Sequence, residues 1–449
     1  MSDLLGVCRD AVRRTLDRGA DQAEVFAGRS SEARVQLESD DVSLARSDEE
    51  ESFGIRVRLK GVTGFAATND RAPGSLDEAA DAALALARVS PADRHDELTA
   101  PSEPVRVEGI YDPAVAEVGV DSVAQRAGEL AERVRALDAR ARIDSGWISL
   151  ARQTSALASS TGIEVSEESS EAQALLMGMA VDGDAVGSLD YELIEVCSLR
   201  ELEAELADLP KRFVSKVVGC LDAQPGRSFA GTLVLSPEAV AEFLLPALVG
   251  SLSAQAVRTG QSRFKERLGE SVASEVFTLS DDGAVPGQPG SRSFDREGIA
   301  PARLPLIERG ELRSFLYNMR EARVAGRADS TGHAAGGPTT PPGIGPSNLL
   351  VEAGDIEETK LLAEVERGIL LNRFSGNSDP VSGDFSGVAK GSFLLERGRP
   401  PAAIQETLIS GNLFDLLYDI SGVSRQRRWI AGSVHTPTIR VEGVSVTAG

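Results

Sequence analysis

Histidine, cysteine and aromatic residues are scarce in this 449-residue chain, which has three His, three Cys and only 4% Phe, Trp and Tyr. The cysteines, Cys8, Cys197 and Cys220, are odd in number, far apart and form no C-x-x-C pair. That pattern suggests neither a disulfide framework nor a thiolate zinc site, and it fits a reducing compartment. The opening residues MSDLLGVCRDAVRR hold no apolar export segment. The most apolar stretch, Phe243 to Leu252, is short and contains Pro246, so no bilayer span is expected. A soluble cytoplasmic protein is the expectation.

Basic residues are also outnumbered. Lys and Arg total 47 against 69 Asp and Glu, a formal charge of −22. A broad nucleic-acid face needs clustered Lys and Arg, so that function class is set aside. Several sharp chemical motifs are missing too: no G-x-x-x-x-G-K-[ST] phosphate cradle, no G-x-G-x-x-G between strand and helix, no G-x-S-x-G elbow and no H-E-x-x-H. What is present is 41% apolar and 26% charged residues, enough for a real core, at a length that implies two or three domains.

Leu4, Cys8, Val12 and Leu16 recur at helical spacing. Phe53, Ile55, Val57 and Leu59 alternate with Gly54, Arg56, Arg58 and Lys60, a strand with one apolar and one wet face. Ser75-Leu-Asp-Glu78 reads as a capping box opening a helix to about Val89. A Pro-rich polar stretch from Ser90 to Glu108 reads as a linker. Asp121 is placed as the cap of a second long helix. A third, Leu199 to about Val218, is expected to bend or break at Pro210. The polar run Asp222 to Ser228 marks the main boundary. Beyond it, short strands are expected at 232–235, 303–308, 312–317, 368–371, 391–396 and 438–441, an apolar helix from Pro237 to Val249, and a structureless Gly/Pro loop from Gly332 to Asn348. The fold class is therefore α+β. An N-terminal α/β-type mixed-sheet domain (1–221, divisible at the linker into 1–90 and 109–221) precedes a β-rich C-terminal domain with short helices (229–449).

Candidate chemistry is sparse. His95 lies in the linker, His333 follows Ser330-Thr-Gly332, and His435 precedes Pro437. A metal site joining His333, His435 and a carboxylate is conceivable, but nothing in the spacing preorganises it. Ser382-Gly-Asp-Phe-Ser-Gly387 has two readings: a ligand-approaching loop, or a tight turn whose Ser and Asp satisfy local backbone. Ser386 lacks a nearby base for nucleophilic work. Asp281-Asp-Gly283 and Phe294-Asp-Arg-Glu-Gly298 place acids beside glycines without the ligand spacing of a calcium loop. The acids at 48–51 fit a solvated strand edge.

The order of these elements resembles one family, TldD/PmbA. Ser262-Arg-Phe264, Leu268-Gly269, Asp281-Asp-Gly283, Phe294-Asp-Arg-Glu-Gly298, Leu306-Ile-Glu-Arg-Gly310 and Ser330-Thr-Gly332 follow its motif order. So do Ser382 to Ser386, Gly391, Gly398, Pro401 and Ile409-Ser-Gly-Asn-Leu413. The resemblance implies a two-subunit cytoplasmic metalloprotease acting on unfolded peptides. One subunit of such a pair carries zinc on H-E-x-x-x-H and a Cys near the end. Here Pro237-Glu-Ala-Val-Ala-Glu242 stands at that motif, with Glu238 at its Glu and Pro237 and Glu242 at its His positions; a second frame points to Pro246 and Ser251. Ala431 stands near the Cys. The sequence is therefore similar to the PmbA (TldE) branch, with no catalytic residue and no metal ligand of its own.

On that resemblance the chain is expected to hold peptide for a zinc-bearing TldD-like partner, zinc being the partner's cofactor. Edge strands around Ser382, Gly383, Asp384, Phe385 and Ser386, with Gly411 and Asn412, are the expected peptide contacts. The alternative is a stand-alone peptide-binding or regulatory homodimer, akin to a gyrase modulator. A third reading is an independent hydrolase built on His333, His435 and a carboxylate.

Overall fold

The computed structural model describes residues 3–397, 399, 401–405 and 407–448, and Gly398 lies outside them. The N-terminal half is one antiparallel sheet of β1 (Gln22–Glu38), β2 (Asp41–Leu59), β3 (Val62–Thr68), β4 (Ala141–Ser159), β5 (Glu164–Asp182), β6 (Ala185–Val186) and β7 (Asp190–Val196). The strands run in the order β3-β2-β1-β4-β5, and both β6 and β7 pair with β5. Because β1 pairs with β4 along fifteen residues, Glu24↔Ser159 to Glu38↔Ser145, the segments before and after the linker share one sheet rather than forming two subdomains.

Strand periodicity explains the layering. Ala23, Val25, Ala27, Ala33, Val35 and Leu37 are all odd-numbered, so they lie on one face of β1. That face is covered at one end by α1 (Leu4–Asp17) and α2 (Pro73–Val89), which bury Leu4, Cys8, Leu76 and Ala83. The short helix α3 (Pro113–Glu117), α4 (Val120–Leu137) and α5 (Leu199–Val218) cover the other end through Val115, Val123, Leu130, Leu202 and Phe213. The opposite face takes Phe26, Leu157 and Val165 against Phe294 of the C-terminal half. The acidic stretch of β2 around Glu49 has no partner beyond β1 and is mostly solvated.

Three local expectations change for physical reasons. Helix α2 opens on Pro73, and Ser75 hydrogen-bonds Asp70 at 2.6 Å instead of capping the helix. Helix α4 starts at Val120, with Asp121 in its first turn, where an acid complements the helix dipole. Pro210 leaves α5 continuous. The Leu206 carbonyl that Pro210 cannot bond accepts instead from Arg133 Nη1 at 3.0 Å, so the broken rung is repaired from α4.

The C-terminal half forms a mixed sheet. It contains β8 (Phe229–Leu235), β9 (Leu279–Asp281), β10 (Leu304–Glu308) and β11 (Glu311–Leu312), while β12 (Ala334–Ala335) and β13 (Gly343–Ile344) pair separately. It continues with β14 (Leu349–Val351), β15 (Arg367–Leu371), β16 (Arg373–Ser378), β17 (Asp384–Lys390) and β18 (Phe393–Glu396). The last strands are β19 (Ala402–Ala403), β20 (Thr407–Asn412), β21 (Ile420–Ile430) and β22 (Val434–Thr447). The main path is β11-β10-β9-β14-β22-β8-β15-β18-β19, with β20 leading from β22 to β17 and then β16. The expected strand 312–317 shrinks to its first residue, and Leu316 makes an isolated bridge to Ser253. The apolar core here joins Leu233, Phe243, Leu248, Phe277, Leu306 and Ile439.

Two devices lock the halves together. The Gly332–Asn348 loop, largely irregular apart from β12 and β13, docks its Pro338 on the N-terminal sheet. A β-carbon at Gly54 would lie 2.0 Å from the Pro338 carbonyl oxygen, and one at Gly28 would lie 3.1 Å from Pro338 Cγ. The second device is ionic. Arg56, expected on the wet face of its strand, is 3% exposed because the C-terminal half covers it. Arg56 Nη2 donates to Glu24 Oε2 at 3.0 Å, and Arg296 Nη1 donates to Glu24 Oε1 at 3.1 Å. Arg56 Nη1 lies 3.5 Å from Glu297 Oε1, while Glu297 Oε2 accepts the Met319 amide at 2.7 Å.

Two measurements follow from these locks. Gly54→Ala forces the Pro338 loop off the sheet, so limited proteolysis should cut within 332–348 faster than in the parent chain. Burial, with help from the charges of Asp295 and Glu24 and against Arg56, pushes the Glu297 carboxyl up to about 7. The unfolded chain releases that proton near pH 4.5, whereas the folded chain keeps it to about 7, so this group makes stability fall as pH rises across that window. Glu297→Gln should flatten the fall by up to about 3 kcal/mol in denaturant unfolding at pH 5 and pH 8.

Candidate functional site

The run Ser382 to Ser386 is built as a hairpin turn between β16 and β17. Asp379 Oδ1 accepts the amides of Val381 and Ser382, each at 2.8 Å. Ser382 Oγ accepts the Asp384 amide at 3.2 Å, and Gly383 takes a φ of +84°. Asn412 Nδ2 donates to the Ser382 carbonyl and to Asp384 Oδ1, both at 2.8 Å, while its Oδ1 caps the helix Leu413–Tyr418. Phe385 is buried against Phe243 and Phe374. Of the two readings of this run, the geometry is that of the turn.

The strands that carry the expected peptide contacts are already largely paired. Strand β17 is paired on both sides, with β16 from Ser378↔Phe385 and with β20 from Asp384↔Asn412, so Ser386 offers no free ladder, while β20 meets β22 only from Leu408 to Ser410 and leaves Gly411 paired on the β17 side alone. Among the described residues the open edge of the β16-β17-β20 branch belongs to β16, which pairs only with β17, as β11, β19 and β21 of the same sheet each have a single partner. The Asp379 amide points to β17, bonding the Asp384 carbonyl at 2.9 Å. Amides alternate in direction along a strand, so those of Phe374, Gly376 and Ser378 face outward.

The histidines do not form a centre. His333 is 1% exposed, with Nε2 2.8 Å from Asp281 Oδ1 and Nδ1 2.9 Å from Thr331 Oγ1, so both ring nitrogens are occupied. Asp281 Oδ2 accepts the Ser347 amide at 2.8 Å, which makes the His–Asp pair an anchor for the Gly/Pro loop. His435 stacks on Trp429 at 4.6 Å, and burial with Arg427 nearby lowers its pKa. No hydrogen bond or ion pair of the described residues links the two rings. Burial likewise pushes Cys8 and Cys197 up to about 12 and Cys220 up to about 11, leaving three inert thiols.

What the structure does assemble is a cavity of about 490 Å³ where the two halves meet. Strand β7 and helix α5 form one wall, and the segment Pro237–Ser251 with the end of β21 forms the other. That segment is helical throughout but passes through a π turn at Val240–Leu244, in which the Leu245 amide bonds the Val240 carbonyl five residues back. Pro246, with no amide hydrogen, follows at once. The wider turn brings Glu238 and Glu242 into the cavity together with Ala431. Of the positions that sequence resemblance matches to the zinc motif and its Cys, Glu238, Glu242 and Ala431 line this cavity, whereas Pro237, Pro246 and Ser251 do not.

Their side chains are already engaged. Lys216 Nζ lies 2.6 Å from Glu192 and 3.9 Å from Glu238, and Arg428 Nη1 lies 3.4 Å from Glu238. Burial opposes ionisation of Glu238, but Arg428 and Lys216 outweigh it and hold its pKa below the usual value. Glu242 accepts a hydrogen bond from the Tyr191 hydroxyl, and burial raises the pKa of both partners. Arg373, the first residue of β16, places its guanidinium 5.2 Å from the Tyr191 ring centre, so the open edge begins beside the cavity. Glu195 sits against Glu171, and burial plus that like charge push it up to about 8.

This donor set does not fit a zinc ion. Catalytic zinc takes three nitrogen, sulfur or carboxylate donors and one open position. Pro237 and Ala431 supply none, Glu238 is neutralised by two cations, and Glu242 is tied to Tyr191. Among the described residues no three His, Cys, Asp or Glu side chains stand close enough to share a metal. Tyr191, Glu192, Lys216 and Arg428 were invisible to motif reading, since they come from separate elements with no local spacing.

Comparison with known proteins agrees with the architecture. Residues 230–448 match the PmbA/TldA metallopeptidase C-terminal domain, and residues 23–87 match the PmbA/TldA metallopeptidase domain 1. A metalloprotease of Methanothermobacter thermautotrophicus is 26% identical over 95% of this chain and 92% of its own. Crystal structures share the fold. TldE from Thermococcus kodakarensis superposes with a TM-score of 0.89 at 23% identity, covering 98% of this chain and 100% of that one. A Thermotoga maritima protein described as a modulator of a DNA gyrase does so at 0.88 and 21%, covering 99% and 100%. No described helix is long and apolar enough to cross a membrane. The chain belongs to the TldD/PmbA family.

Proposed function

We propose that this chain is the substrate-holding subunit of a two-subunit cytoplasmic peptidase. It presents unfolded peptide to a TldD-like partner that carries the zinc. The observation that carries this reading is the cavity in which Glu238, Glu242 and Ala431 meet, lined by ion pairs where a metal's donors would be needed. Zinc in the partner would supply the activated water; this chain's residues bind and orient. The outward amides and carbonyls of β16 take an extended backbone by strand addition, a mode that reads main chain and tolerates many sequences. Tyr191 and Arg373 mark the end of that strand nearest the cavity.

The alternative, a peptide-binding or regulatory homodimer, draws support from the relative described as a modulator of DNA gyrase. It predicts peptide capture with no partner requirement. The leading reading predicts no hydrolysis of an unstructured peptide by the purified chain, and chelator-sensitive hydrolysis once a zinc-bearing TldD-like subunit is added. Ser378→Pro removes one outward amide without touching the β17 ladder, so it should weaken peptide binding about tenfold, on the scale of the energy of one or two hydrogen bonds, with an unchanged melting temperature. Equal binding by the variant and the parent would rule out β16 as the docking edge.

A further inference from the structure

A second concavity adjoins the ionic lock through Arg296, a cleft of about 130 Å³ between the N-terminal sheet and the segment 292–296. Arg296 is the group that calls for a ligand there. Its side chain is 2% exposed, and Nη1 is spent on Glu24. Nε and Nη2, both buried, have no hydrogen-bond partner. Those two nitrogens form one edge of the guanidinium, the parallel pair of N–H donors that matches the two oxygens of a carboxylate or phosphate. A buried cation with its whole fork unmet is costly, which makes it a receptor for an anion.

The surroundings favour the same occupant. Phe26 stacks 4.2 Å under the Arg296 guanidinium and Phe294 lines the cleft, so the fork is held flat in an apolar frame. Arg292, whose Nη2 donates to Ser347 at 2.8 Å, lines the cleft and also leaves a buried Nε unpaired. The two acids nearby do not satisfy these donors. Asp295 spends both oxygens on the amides of Glu297, Ile299 and Ala334. Glu167 accepts the Ser293 amide, and burial raises its pKa towards the neutral form.

We propose that this cleft is an oxyanion site in which the Nε/Nη2 edge of Arg296 takes the two oxygens of a carboxylate or phosphate group. A peptide's terminal carboxylate and a free small anion present the same chemistry and are separated by experiment. The site needs neither partner nor metal, so its test is independent of the peptidase reading.

The full-length chain is titrated with sodium phosphate and with acetate at fixed ionic strength, reading the melting temperature and binding heat. Saturable binding is expected, weakened at least tenfold by Arg296→Lys, which keeps the charge but loses the fork. Ser155→Leu fills the cleft without touching the ion pairs and should do the same, which guards against a folding defect in the first variant. A free-acid peptide binding tenfold more tightly than its C-terminal amide, with the preference abolished by Ser155→Leu, assigns the site to peptide ends. Phosphate binding with no such preference assigns it to free anions. No saturable binding of either anion, or binding unaffected by both substitutions, overturns the proposal.

Discussion

Four charged side chains, Glu24, Arg56, Arg296 and Glu297, meet in the seam between the two halves of the chain, each no more than 4% exposed as a side chain. Desolvating four such groups is expensive, and removing one partner of a buried pair typically costs about 3–5 kcal/mol because the other charge is stranded. The seam is therefore stable in one register only, with the 294–298 segment seated on the face of the sheet opposite the helices. Pro338 on Gly54 and His333 on Asp281 extend that registration along the Gly/Pro loop. The larger cavity depends on it, because its walls come from β7 and α5 of one half and from the π-turn segment and β21 of the other.

The π turn at Val240–Leu244 groups Glu238 and Glu242 beside Ala431. A proline, a carboxylate that accepts from a tyrosine and an alanine stand at the positions that resemblance matches to metal ligands. Lys216 and Arg428 supply positive charge there instead, balanced by Glu192 and Glu238. On the division of labour proposed above, such a pocket would orient a polar chain and leave water activation to the partner.

Much of the fold was legible because it rests on local periodicity. Helix α1, the strand ending at Leu59, the long helices α4 and α5 and the β-rich second half all follow from spacing that physics forces on buried faces. Ser75 was misplaced by a local bond to Asp70, but the larger misses share one cause, partners distant in sequence. Arg56 looked solvated because its cover arrives some 240 residues later, and Pro210 looked like a break because Arg133 repairs it from another helix. The two-subdomain division failed since β1 pairs with β4 across the linker. For the site, Glu238, Glu242 and Ala431 were reachable through motif order alone. The run from Ser382 to Ser386 was not separable from a turn until β17 was seen paired on both edges.

The most direct measurement is the zinc content of the isolated full-length chain after exposure to excess zinc and removal of loosely held ions, read by mass spectrometry. The account predicts no retained zinc at the Glu238–Glu242–Ala431 cavity and no turnover by the chain alone. One zinc held per chain, lost on Glu238→Gln and accompanied by peptide cleavage, would contradict it.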